Sequence, residues 1–112
     1  MKRQFLASLL FSGNAIAGNF AECILDKMPG STNGATHAAV FRACTQEHPG
    51  NYEAIEKGSG RGLFGFKDQN ACTIKKARDT PFPYSAGAIS IACGCLYSEP
   101  FFKNEFCVNP FK

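Results

Sequence analysis

Apolar residues recur at steps of three and four in four stretches, and each stretch is bounded by residues that start or stop a helix. The first runs from Phe20 to about Met28, opened by Asn19 with Glu22 three positions on and closed by Pro29-Gly30. The second covers about Ala35 to Glu47, with Thr36, Ala39, Val40, Ala43, Cys44 and Glu47 on one stripe, and stops at His48-Pro49-Gly50. A third helix is expected from Gln69 to Arg78 behind Asp68. The fourth is expected to begin at Thr80-Pro81, read as N-cap and first helical position, and to end near Tyr97. Tyr52 to Glu56 has room for one helical turn, so the pattern predicts an all-α fold.

The second pair of stretches repeats the first. Laying Cys23 on Cys72 without a gap also brings Cys44 onto Cys93, Lys27 onto Lys76, Leu25 onto Ile74, Ala39 onto Ala88, Val40 onto Ile89 and Ala43 onto Ala92. We read this as an internal duplication of a helical hairpin, each copy closed by its own disulfide. The small residues at 39/88 and 43/92 let two helices approach as closely as such a bridge requires. The copies fall at about 19–50 and 68–99, separated by a glycine-rich linker, 51–67, and followed by an irregular tail, 100–112. Cys95 has no counterpart, because Gln46 stands at the matching position. A step of two along a helix turns its side chain away from that of Cys93, so Cys95 is expected to bond Cys107 and pin the tail. Spacing thus favours Cys23–Cys44, Cys72–Cys93 and Cys95–Cys107, although six cysteines permit other connectivities.

The N-terminus has the order of a secretory signal: basic Lys2-Arg3, an apolar run from Phe5 to Phe11, then Ala15-Ile16-Ala17 ahead of Gly18. Residues 1–17 are expected to be removed, leaving 18–112 as one small stapled domain in the periplasm or outside the cell. Nothing downstream is long and apolar enough to span a membrane. In an exported chain as short as 18–112, six cysteines are expected to serve as structural bridges. Each such loop closure contributes roughly 3 kcal/mol, a large share of what a small core supplies.

Charge adds one asymmetry. Acidic residues predominate in 18–56 and basic ones in 57–112, which suggests that two oppositely charged hairpins dock on each other. The segment from Lys57 to Arg78 is alternatively a basic face for anionic lipid or glycan. Within it, Gly58-Ser59-Gly60-Arg61-Gly62-Leu63-Phe64-Gly65-Phe66 has the makings of an anion-holding nest of amides, yet it lacks the ending of a P-loop. The reading preferred for this stretch is that its glycines bend the linker while Leu63, Phe64 and Phe66 cover the seam between hairpins.

Chemistry-bearing motifs are sparse. Cys93-Gly94-Cys95 invites a thiol–disulfide redox reading, but the pair falls near a helix C-terminus, where the dipole opposes a thiolate. A zinc site from Cys93, Cys95, Cys107 and a histidine is disfavoured in an oxidising compartment, and His37 and His48 are expected at the surface. No catalytic residue, metal or cofactor is assigned, and no nucleic acid is expected. The favoured function is a non-enzymatic binding or accessory module, such as an inhibitor or envelope interaction protein, whose partner is another protein. Its candidate surface is Arg61, Phe64, Phe66, Lys67, Phe101, Phe102 and Phe106, because exposed aromatics beside arginine suit interfaces.

The run from Cys23 to Gly30 with Cys44 ahead, the Arg61-Gly62-Leu63-Phe64-Gly65 segment, and Cys72 through Thr80 to Cys93 resemble a family of small exported bacterial proteins with four cysteines. The likeness covers most of 20–97. It implies export and the two hairpin bridges, and carries over no catalytic residue. Cys95 and Cys107 depart from the four-cysteine pattern.

Overall fold

The computed structural model describes residues 18–99 and 106–107. The expected signal peptide, 1–17, and the tail at 100–105 and 108–112, with Phe101 and Phe102 of the candidate surface, lie outside the described residues. Those described form four α-helices and no strand: α1 (Phe20–Lys27), α2 (Gly34–Glu47), α3 (Gln69–Ala77) and α4 (Pro83–Tyr97). A short 3-10 turn, Asn51–Ala54, lies between α2 and α3.

Three of the helices start on a side-chain cap. The Asn19 side chain accepts from the Glu22 amide while the Glu22 carboxylate accepts from the Asn19 amide, a reciprocal capping box. Asn33 accepts from the Thr36 amide at α2, and Asp68 from the Ala71 amide at α3. The fourth helix departs from expectation. It starts at Pro83 with Phe82 as an N-cap that makes no side-chain bond, so Thr80-Pro81 is not its beginning. The Thr80 hydroxyl is buried and instead accepts from the Gly30 amide at 2.9 Å. Beside it the Phe82 amide donates to the Ser31 carbonyl at 3.3 Å, so the turn after α1 is tied to the turn before α4.

The core is built around α4, which packs on α1, α2 and α3. Ser85, Ala88, Ile89 and the run Ala92 to Leu96 are all buried, the pattern of a helix surrounded by protein. Ile24 of α1, Met28 at its C-terminal cap and Ile89 of α4 belong to one apolar cluster with Tyr52 and Ile55. By contrast α2 buries only Cys44 fully, and Val40 and Phe41 lean half-buried on the cluster.

Disulfides join α1 to α2 through Cys23–Cys44 and α3 to α4 through Cys72–Cys93, each spanning 21 residues. The third, Cys95–Cys107, ties the end of α4 to the tail with Cα atoms 5.8 Å apart. Matched positions of the two hairpins have unequal surroundings. Ala88 is buried where Ala39 is exposed, and Leu25 is buried where Ile74 is exposed.

The hairpins do not dock by charge. Among the described residues the ion pairs are local, Lys27 with Asp26 and His48 with Glu47. Contact between the hairpins is apolar or neutral, as in the Gly30 amide donating to the Thr80 hydroxyl, and the linker adds the Tyr52 hydroxyl donating to the Ala88 carbonyl at 3.4 Å. His37, expected at the surface, is half-buried in this seam, its Nδ1 2.9 Å from the Ser85 hydroxyl and its ring against Phe41 and Phe82. His48 is also half-buried, at the end of α2.

Candidate functional site

Tyr52 and Ile55 root the linker in the core, with the Tyr52 ring edge-on to Phe20 at a centroid distance of 4.7 Å. The chain then crosses the C-terminal end of α4. The Gly58 amide donates to the Cys95 carbonyl at 2.7 Å, and the Gly60 amide to the Leu96 carbonyl at 2.8 Å. The Arg61 guanidinium donates to the Tyr97 carbonyl at 3.2 Å. The last carbonyls of a helix find no partner within it. Here the linker supplies those partners, with the Ser98 amide serving Gly94. Arg61 also sets its charge at the negative end of the helix dipole.

Two glycines are required by this crossing. Gly58 has a φ of 86°, which side-chain-bearing residues rarely adopt. At Gly60 a Cβ would lie 2.9 Å from both the Leu96 side chain and the Tyr97 ring. Because the Gly58 and Gly60 amides are committed to α4 carbonyls, they do not form an anion-holding nest. The glycine run is a helix cap.

From this base the chain projects a tip. Gly62 to Gly65 closes a turn, with the Gly65 amide donating to the Gly62 carbonyl at 3.2 Å. Its central residues, Leu63 and Phe64, are 89% and 97% exposed. Of the three side chains expected to cover the seam, only Phe66 turns inward, edge-on to Tyr97 with centroids 5.2 Å apart. Turn centres favour Gly, Pro, Asn, Asp and Ser, so folding gives no reason for Leu-Phe at this position.

The remaining candidate residues are distributed around this loop. Arg61 and Lys67 are exposed on either side of the tip. Phe106 is half-exposed and its ring lies 6.1 Å from that of Tyr52. Lys57 does not belong to the surface. It is 2% exposed, and its Nζ has no hydrogen-bond partner among the described residues. Leu63 was absent from the sequence-derived surface, and its signal was the pair of glycines bracketing two apolar residues.

Other clusters offer less chemistry. His37 and Ser85 are in contact, as are the base and hydroxyl of a hydrolytic site, but Ser85 is fully buried and no carboxylate among the described residues bonds the imidazole. Cys93 and Cys95 are both bridged and both 0% exposed, which leaves no thiol for exchange. A cleft of about 300 Å³ is lined by Glu22, Cys23, Asp26, Lys27, Glu47 and His48. Glu47 Oε1 and His48 Nε2 stand 3.9 Å apart there, but the neighbouring Cys23 sulfur is spent in its bridge and offers a metal no thiolate. The Tyr97 hydroxyl, beside the loop base, is pushed to ionise at higher pH by burial and then by the charge of Glu22.

Comparison with family models, with curated proteins and with solved structures found no match to this chain.

Proposed function

We propose that this chain is an exported, non-enzymatic binding module in which stapled helical hairpins, copies of one ancestral unit, hold the 61–67 loop out as the contact element. The observation that carries the reading is the pair Leu63 and Phe64, almost fully exposed at the tip of a turn whose base is bonded to α4. Two large apolar side chains in water cost solubility and add nothing to the core, so their use lies in contact with something else. A fastened base lowers the ordering cost of that contact. The export reading rests on the N-terminal signal pattern and on three disulfides in so short a chain.

Placing a photoreactive phenylalanine analogue at position 64, and separately at the exposed Tyr84 on α4, tests this in producing cells. Adducts from position 64 that are missing from position 84 are expected. Equal yields from both, or none from 64, would contradict the proposal.

A further inference from the structure

We infer that the Leu63–Phe64 tip inserts into the interface of an anionic lipid surface, with Arg61 and Lys67 resting among the headgroups. This rests on the binding-module reading above and names its partner. The tip is convex: a tight turn from Gly62 to Gly65 with both apolar side chains pointing into solvent. A protein partner must offer a preformed hollow for such a finger, whereas a bilayer interface admits apolar side chains wherever they arrive.

Charge points the same way. The stretch 57–67 holds Lys57, Arg61 and Lys67 and no acidic residue. Lys57 is buried, so the exposed cations are the two that flank the tip, and neither is in an ion pair among the described residues. Apolar side chains ringed by cations suit the boundary between acyl chains and anionic headgroups. The surface involved is therefore narrower than the whole basic segment, and it adds Leu63.

The loop is also held ready. Gly58, Gly60 and Arg61 are bonded to the last carbonyls of α4, and Phe66 packs on Tyr97, so insertion needs no prior ordering of the base.

The sequence contains no tryptophan, so Phe64→Trp places a single indole at the tip. The oxidised protein is mixed with vesicles of equimolar phosphatidylglycerol and phosphatidylcholine, and separately with pure phosphatidylcholine. A blue shift and cosedimentation are expected with the anionic vesicles, weakening as salt is raised. Leu63→Ser and Phe64→Ser should each weaken partitioning at least about tenfold. Arg61→Gln and Lys67→Gln should each weaken it about fivefold at low salt. The N-terminal apolar run is common to every variant, so only differences between variants report on the tip.

Binding that is unchanged in the serine variants, equal on both vesicles, or absent overturns the inference. A position-64 adduct to a protein, with no vesicle binding, overturns the lipid assignment and leaves the binding-module reading standing. No tip-specific adduct at all overturns both.

Discussion

The Gly58 amide lies 2.7 Å from the carbonyl oxygen of Cys95, while the Cys95 sulfur is bonded to Cys107. One buried residue therefore fastens the glycine-rich linker through its backbone and the tail through its side chain. A stretch whose composition suggests a flexible joint is instead the C-terminal cap of the central helix. Position 95, expected from the sequence to pin the tail and only alternatively a redox residue, is an anchor point for both segments.

The glycines should respond to substitution in opposite directions. At Gly65 an added Cβ runs into the Gly60 carbonyl oxygen, whereas at Gly87, exposed on α4, it meets nothing within 4 Å. Gly65→Ala is expected to destabilise by about 1–3 kcal/mol through overpacking. Gly87→Ala is expected to stabilise by about 0.5–1 kcal/mol through helix propensity. Denaturant midpoints decide it, and equal shifts of the same sign would mean that Gly65 does not pack against the Gly60 carbonyl.

Lys57 is buried, and among the described residues its Nζ has no hydrogen-bond partner. Desolvation of such a group is uncompensated, so Lys57→Met, which keeps the length and removes the charge, should raise stability by about 1–3 kcal/mol. A fall in melting temperature for this variant would show that the ammonium is paired in solution.

Burial pushes the Tyr52 hydroxyl to ionise well above the tyrosine range, and Tyr97 shifts the same way. A raised folded-state value means that the associated stability is complete below about pH 10, the unfolded value, and is lost as pH climbs from there toward the folded value. The protein should unfold in alkali with a cooperative rise in tyrosinate absorbance. Tyr52→Phe should lose about 0.5–1.5 kcal/mol at neutral pH with the Ala88 bond, yet decline less steeply above pH 10. Parallel alkaline limbs for the two proteins would contradict this.

The helices and staples were legible in the sequence because local signals fix them: Asn19 with Glu22, Asn33, Asp68, and the equal cysteine steps. The start of α4 was not, because Thr80 has the chemistry of a cap and spends it on Gly30, a choice made only in three dimensions. His37 was misplaced for the same reason, since nothing local to it announces Ser85 across the seam. The equal cysteine spacing also concealed an inequality. Only α4 is surrounded by the other helices, so Ala88 and Ala39 occupy matching positions in unlike surroundings. For the loop, composition identified the unusual stretch but not which of its side chains face out and which face in. Arg61, Phe64 and Lys67 do stand at its surface, Phe66 belongs to its base, and Lys57 is buried.

The most direct measurement compares Leu63→Ser/Phe64→Ser with Ile74→Ser/Tyr84→Ser, a second pair of exposed apolar side chains. Thermal stability and cosedimentation with phosphatidylglycerol vesicles are read on both proteins. The tip variant should stay within about 1 kcal/mol of the unaltered protein in stability and lose its vesicle binding, while the control pair keeps both. A tip variant that unfolds like a core mutant, or one that binds as well as the control, would contradict the account.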